Sequence, residues 1–479
     1  MRANDLGAFG FSNDEAWVAL STRVEGTAQY WLAIVMTPIG WAAVVKGLSL
    51  VHVSEAALRL VPFAFGVATV ALAYRAGRRF AGHRLGGVLA MAAAAFDPLA
   101  IGYAKVLKQY TAEAFFCLLA LDRAAVFARR RTPRALLVVA AVLALGVPFS
   151  NAQLVVAPAV FGALLLDALV RRDARAARTV LAAGAAVGAW ACGYCLLLVR
   201  PRLPSATDPY WSTQQYLPFA WSALEAGWTR LAWSLRPALG ATTTIVALAA
   251  LATGCLVRRQ RVVAVALVLL LLEIAGLSLL GVVPVSQPRV LLFLTTSLAA
   301  FAAAAVGGLV ARAWRRPLLG VAATIALALL AVDFARAHPW RRSIRPLFVE
   351  DAGPLVRLME QQRRPGDVVL LHLKTIFIHA YYQRAVPRLV PARDVSTGFL
   401  PVRAPSTRLV KESTVAAEIA AARVAHRRAW LVASRLRREE ELRLRRKIRG
   451  GGAAVVREER RPGAFLLLLD LRPPVAPPA

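Results

Sequence analysis

The sequence predicts an α-helical polytopic membrane protein with a small C-terminal extracytoplasmic α/β domain, and three observations carry this prediction. Of 479 residues, 58% are hydrophobic and the mean hydropathy is +0.55, which is more apolar surface than a water-soluble core of this length buries. Apolar runs of membrane-spanning length recur between short arginine clusters. From about Arg336 the composition becomes that of a soluble domain.

The net charge of +32 does not predict a nucleic-acid partner. No basic stripe is interleaved with stacking aromatic residues, and the arginines cluster between apolar runs, as in cytoplasmic loops of membrane proteins. The four cysteines all lie inside apolar runs, so they predict neither disulfides nor a zinc site; they are Cys117, Cys192, Cys195 and Cys255.

The first apolar run, residues 31–51, is broken by Pro38, Gly40 and Lys46, so we predict interfacial or re-entrant helices there, with a full span as the alternative. About ten transmembrane helices are predicted after it. Their approximate ranges are 57–74, 85–103, 111–128, 135–150, 153–170, 179–199, 239–257, 262–283, 290–311 and 317–335.

The connections between these helices alternate in charge, which predicts their sidedness. Short basic connections, such as Arg75–Arg84 and Arg129–Arg134, are predicted to be cytoplasmic. The N-terminus, the Tyr103–Tyr110 connection and everything after Arg336 are then extracytoplasmic. Because no apolar segment precedes the N-terminal part, one more transmembrane helix is expected upstream of this start. We divide the chain into residues 1–56, 57–335 and 336–479.

Several charged residues stand out on the predicted outer side. Asp14 and Glu15 precede the first apolar run, where they either serve chemistry or cap a helix start. Lys105 and Lys108 lie in an outer connection, where lysine is disfavoured. They predict binding of an anionic lipid phosphate with Tyr110 as a further donor, or they extend to the headgroups.

Two arginines and three acids complete the set of candidates. Arg289 at the outer mouth of a span and Arg59 near the start of another are either further phosphate ligands or interfacial anchors. Acids inside predicted spans are either functional or paired between helices; they are Glu113, Asp122 and Glu273.

The C-terminal part shows the pattern of a small α/β domain. Buried strands are predicted at 368–373, 429–434 and 464–471, with a charged helix at 435–449 that ends at Gly450-Gly451-Gly452. No phosphate-binding glycine motif opens a helix, so nucleotide binding is not expected.

Several short motifs occur in the order and spacing of the multi-spanning GT-C glycosyltransferases. They are Asp14-Glu15-Ala16-Trp17, Thr37-Pro38-Ile39-Gly40, Ser54-Glu55 through Val61-Pro62, and Lys108-Gln109-Tyr110, followed by Tyr210-Trp211 and Ala429-Trp430-Leu431. The chain most resembles the bacterial family 39 and Rgt-type branch, which is related to protein O-mannosyltransferases and lipid A aminoarabinose transferases.

This resemblance implies transfer of a sugar from a polyprenyl phosphate on the outer face of the cell membrane, with inversion in many members. The acceptor is a cell-envelope glycan, a lipid or a protein. By resemblance Asp14 is the base, and Glu15 either orients it or holds a metal. Relatives often carry a glutamate where this chain has Val106, so a divalent metal is allowed but not required.

Two other functions stay open at the level of sequence. A transporter or lipid flippase would have many spans too, although residues 57–199 and 239–335 show no repeat of each other. A catalytically inactive GT-C-like assembly subunit would keep the scaffold without transferring sugar.

Overall fold

The computed structural model describes residues 3, 5–34, 37–200, 216, 217, 225, 229, 243–285, 287–313, 317–337, 349–392 and 399–472. The chain forms two compact units. The membrane unit comprises Met1–Asn4, Met36–Val44 and Arg59–Leu347, and the α/β unit comprises Asp5–Val35, Val45–Leu58 and Phe348–Ala479. Residues 10–15, which include Asp14 and Glu15 and are called the acidic segment below, thus belong to the same unit as the C-terminal domain.

The helices in chain order are α1 Asn13–Arg23, α2 Thr27–Ala33, α3 Ile39–Ser49, α4 Glu55–Ala81, α5 Arg84–Phe96, α6 Pro98–Tyr103, α7 Tyr110–Arg130, α8 Pro133–Gly146, α9 Gln153–Val170, α10 Ala174–Tyr194, α11 Thr243–Leu256, α12 Arg261–Leu279, α13 Leu292–Ala313, α14 Pro317–Ala337, α15 Gly353–Gln362, α16 Ile376–Tyr382, α17 Val415–Ala425 and α18 Arg438–Gly450. The strands are β1 Val368–His372, β2 Leu389–Pro391, β3 Phe399–Pro401, β4 Thr407–Val410, β5 Arg428–Ser434, β6 Ala454–Arg461 and β7 Ala464–Asp470.

Five helices of the described part are long and apolar enough to cross a membrane: Glu55–Ala81, Gln153–Val170, Ala174–Val199, Arg261–Leu279 and Leu292–Ala313. Shorter apolar helices include α3, so the described part of residues 31–51 does not form one helix of spanning length. The predicted span 85–103 is two helices, because Asp97 and Pro98 end α5 and start α6. Proline at the first turn of a helix has no N–H to lose, and Asp97 caps that turn.

Helix α13 forms the core of the membrane unit. All of its residues from Leu292 to Gly308 are buried, and it packs against α5, α7 and α14. A Cβ atom on Gly307 would lie only 2.5 Å from the Cα of Gly86, so the two backbones approach closely there. In lipid, helices associate through close packing rather than through the hydrophobic effect. Small residues at a helix crossing allow this close packing.

The α/β unit contains a five-stranded sheet of order β4-β1-β5-β7-β6. Strands β4, β1 and β5 are parallel, whereas β7 pairs antiparallel with β5 and with β6. The predicted strands 368–373, 429–434 and 464–471 are confirmed as β1, β5 and β7 within a residue or two. The charged helix begins at Arg438 rather than at Arg435, because Arg435 takes a left-handed backbone conformation with φ of 58° and cannot belong to a helix.

Candidate active site

Ser12 and Glu15 form a capping box at the start of α1. The N–H of Ser12 donates to Oε2 of Glu15 at 3.0 Å, and the N–H of Glu15 donates to Oγ of Ser12 at 3.4 Å. Such a box satisfies backbone donors that a helix start leaves open. Glu15 is buried, with 3% of its surface exposed. The capping interpretation therefore describes Ser12 and Glu15.

Asp14 has different surroundings from Glu15, although the two residues are adjacent in the chain. Its side chain is 24% exposed, and its Oδ1 lies 4.0 Å from the guanidinium of Arg435. Asp14 is thus a carboxylate that solvent or a substrate can reach beside a cation. A proton acceptor needs this accessibility, and the capping box does not use its side chain.

Glu350 of the C-terminal domain lies beside this acidic pair. Its Oε2 accepts the N–H of Asn13 at 2.9 Å, and its Oε1 lies 3.5 Å from Nε of Arg435. Burial raises the pKa of Glu350, and the nearby Asp14 and Glu15 raise it further, whereas the Asn13 N–H and Arg435 act in the opposite direction. Two carboxylates, those of Asp14 and Glu350, therefore lie beside one guanidinium.

The predicted phosphate ligands all belong to the membrane unit. Arg59, Lys105 and Lys108 are buried, with 4%, 6% and 9% of their surface exposed. Tyr110 is the first residue of α7, and its ring contacts that of Tyr103 edge-on at 5.1 Å between centroids. Arg289 is half-buried in the turn before α13.

Two contacts bring together the segments that carry these residues. The hydroxyl of Thr111 donates to the carbonyl of Pro62 at 2.9 Å, one helical turn after Arg59. A hydrophobic cluster joins the Tyr103–Tyr110 connection to Leu292, three residues after Arg289. Pro62 of α4 therefore lies beside the start of α7, and the start of α13 packs against the connection that holds both lysines. Cations in this arrangement suit a phosphate group.

Position 106 supplies no metal ligand. Val106 packs into the cluster that contains Leu99, Tyr103 and Leu292. In the described part of the chain, no group of three or more histidine, cysteine, aspartate or glutamate residues could hold a metal ion.

The acids inside predicted spans have different partners. Asp122 is fully buried in α7 and forms ion pairs with Arg79, Arg75 and Arg123, so the pairing interpretation holds for this residue. Glu113 accepts hydrogen bonds from the Gln109 side chain and the Asn151 backbone.

Sequence reasoning missed three charged residues at these sites. Asp97 is buried and accepts the N–H groups of Leu99 and Ala100 at 2.8 and 3.1 Å. Its signal was an aspartate before proline inside an apolar run. No sequence pattern pointed to Glu350 and Arg435, because only the fold brings them near Asp14. The Tyr210-Trp211 motif lies outside the described residues.

Comparison with known proteins gives two kinds of match. Residues 25–192 match the family model described as dolichyl-phosphate-mannose-protein mannosyltransferase. This range contains Arg59, Lys105, Lys108 and Tyr110. No curated protein matches the chain.

Several solved structures share the fold, among them those of ArnT and AglB. The apo structure of ArnT from Cupriavidus metallidurans matches over 98% of this chain and 95% of that protein, with 12% identity and a TM-score of 0.53. The oligosaccharyltransferase AglB from Archaeoglobus fulgidus, in complex with an inhibitory peptide and a dolichol-phosphate, matches over 88% of this chain and 66% of that protein, with 11% identity and a TM-score of 0.51. The resemblance predicted from the sequence is confirmed.

Proposed function

We propose that this chain, a membrane protein of the GT-C glycosyltransferase kind, transfers a sugar from a polyprenyl-phosphate donor to an acceptor hydroxyl on the outer face of the membrane. The observation that carries the proposal is that Arg59, Lys105 and Lys108 are buried in an apolar unit, in which contacts join the segments that hold them. Cations are costly in such surroundings, and they suit the anionic phosphate of a lipid carrier. The dolichol-phosphate in the AglB structure has this chemistry.

The reaction needs a base as well as a phosphate site, and Asp14 is the accessible carboxylate of the acidic segment. Asp14 takes the proton of the acceptor hydroxyl while the hydroxyl oxygen bonds to the anomeric carbon. The bond from that carbon to the phosphate oxygen breaks, and the lipid phosphate leaves with the electron pair. A single displacement of this kind inverts the anomeric configuration.

The cations act on the leaving group. Lys108, Lys105, Arg289 and Arg59 stabilise the negative charge that the lipid phosphate gains, and the hydroxyl of Tyr110 donates a further hydrogen bond. Charge that develops in the transition state is stabilised most by donors already in place. Glu15 keeps the helix start rigid and so orients Asp14.

The first prediction concerns Asp14. In purified protein supplied with labelled polyprenyl phosphosugars, Asp14→Asn should lower kcat roughly 10²–10⁴-fold, because the amide cannot accept the proton. Glu25→Gln changes an exposed acid of the same N-terminal segment and should leave kcat unchanged.

Each other outcome would reject a specific part of the proposal. Full activity of Asp14→Asn would remove Asp14 as the base. Movement of labelled lipid across the bilayer without a covalent product would indicate a transporter or lipid flippase. A parent protein that folds and binds donor yet neither transfers nor moves it would be an inactive assembly subunit.

A further inference from the structure

The segment before Asp14 lies at the carboxyl ends of the adjacent parallel strands β1 and β5. The side chain of Asn13 accepts the N–H of Phe377, at the start of the helix that follows β1. Arg435, the residue directly after β5, lies against Asp14. Open α/β sheets hold their ligands at this edge. In this protein the position is occupied by the chain's own acidic segment.

The C-terminal domain also holds the backbone of this segment. Three backbone N–H groups donate to side chains of that domain: Gly10 to Asp351 at 2.8 Å, Phe11 to the hydroxyl of Tyr382 at 2.8 Å, and Asn13 to Glu350 at 2.9 Å. The last of these bonds involves the residue next to Asp14. Hydrogen bonds to the C-terminal domain therefore fix the backbone that leads to Asp14.

Arg435 reaches Asp14 and Glu350 from an uncommon backbone conformation. Its φ of 58° lies in the left-handed region, which residues other than glycine rarely adopt and which is found at functional sites. Its N–H donates to the carbonyl of Gly463 at 3.0 Å, and its own carbonyl accepts from Nζ of Lys374 at 3.4 Å. The neighbouring chain thus maintains this conformation.

One hairpin turn connects Glu350 and Arg435. Pro462 and Gly463 form the turn between β6 and β7. The carbonyl of Pro462 accepts the N–H of Asp351 at 3.0 Å, and that of Gly463 accepts the N–H of Arg435. The backbones at Glu350 and at Arg435 are therefore both held by the β6–β7 turn.

We propose that Glu350 and Arg435 are positioning residues for Asp14: Glu350 fixes the backbone beside it, and Arg435 orients its carboxylate and keeps it ionised. This inference rests on the proposed function, because it assigns Asp14 a charge state and an orientation that only a base needs. It gives the C-terminal domain a part in catalysis without contact to the reacting atoms.

The test compares Arg435→Gln, Arg435→Lys and Glu350→Ala with the parent. Arg435→Gln should lower kcat by about 10–100-fold with little change in the donor KM, because a small displacement of a catalytic group is costly. Its activity should also decline at a higher pH on the acid side, since without Arg435 the Glu350 carboxylate near Asp14 is no longer balanced by a cation, and this favours the protonated form of Asp14. Arg435→Lys should recover part of kcat and the original pH profile. Arg446→Gln changes an exposed arginine of α18 and is the control.

Hydrogen exchange gives a readout that does not depend on transfer. Glu350→Ala should speed exchange of the amide of Asn13, which donates to Glu350 in the parent, and Arg446→Gln should not. If the parent transfers sugar and Arg435→Gln keeps its kcat and pH profile, the positioning role is wrong and the proposed function stands. The positioning role is also wrong if Arg435→Lys is no better than Arg435→Gln. If the parent transfers no sugar, the proposed function fails and the positioning role fails with it.

Discussion

At the scale of single residues, the adjacent carboxylates of Asp14 and Glu15 have different surroundings, although they belong to the same sequence motif. Glu15 faces back toward Ser12 and is buried in the capping box, whereas Asp14 is partly exposed beside Arg435. The sequence offered capping and chemistry as alternatives for the whole motif. In the structure Glu15 has the capping role, whereas Asp14 is left for chemistry, because consecutive side chains at a helix start point in different directions.

Lys108 is the residue on which we expect donor binding to depend most. Lys108→Ala should raise the donor KM by the equivalent of ~1.5–3 kcal/mol, the usual value of a hydrogen bond to a charged group. Steady-state kinetics with varied donor measure this effect. Lys447→Ala removes an exposed lysine of α18 and should not change KM. An unchanged KM in Lys108→Ala would show that the lysine contacts headgroups instead of the donor.

At the scale of secondary-structure elements, hydropathy located the apolar segments but not their breaks. Residues 85–103 form a single apolar run, yet the chain ends one helix at Phe96 and starts another at Pro98. A hydropathy average over a whole window does not register one aspartate and one proline. The local rule that proline favours the first turn of a helix was the better guide here.

The β6–β7 turn should affect catalysis from a distance. Gly463 has φ of +73°, and a Cβ atom there would lie 1.7 Å from the carbonyl oxygen of Val349. Gly463→Ala must therefore displace Val349 and, with it, Glu350. We expect a fall in both kcat and the thermal midpoint, measured by transfer assays and by tryptophan fluorescence.

Gly366→Ala provides the matched control for this prediction. Gly366 also has a positive φ, +90°, but a Cβ atom there would meet nothing within 4 Å. It should cost roughly 1 kcal/mol of stability through backbone strain alone and leave kcat unchanged. Equal effects of both variants on kcat would contradict the idea that the β6–β7 turn affects catalysis by displacing Glu350.

At the scale of the whole molecule, the sequence predicted what depends on local composition and missed what depends on distant contacts. Helical spans and the strands of the C-terminal domain follow from hydropathy and pattern. The packing of residues 5–35 with the C-terminal domain did not follow from them. Contacts between Asn13 and Glu350 or Phe377 join positions more than 300 residues apart, and no pattern within either segment encodes them.

Two buried histidines make the stability of the α/β unit depend on pH. Burial lowers the pKa of His379 from 6.5 to about 4, helped by Arg363. Burial also lowers the pKa of His372 to about 4, helped by Lys374 and opposed by Glu440. The unfolded chain therefore binds these protons at a higher pH than the folded chain does. Stability is complete above pH 6.5 and is lost as the pH falls toward 4.

We expect each histidine to cost about 2 kcal/mol of unfolding free energy between pH 6.5 and about 4.5, because the unfolded state alone takes up the proton in this range. Unfolding of the full chain in detergent, followed by tryptophan fluorescence, measures the loss. His379→Phe replaces a side chain whose Nε2 is buried without a hydrogen bond, so it should flatten the pH dependence without a large loss at neutral pH. His52→Phe changes an exposed histidine and should keep the parent's slope. If His379→Phe keeps that slope as well, the pKa of His379 is not depressed, and the domain that holds Asp14 loses stability in acid for another reason.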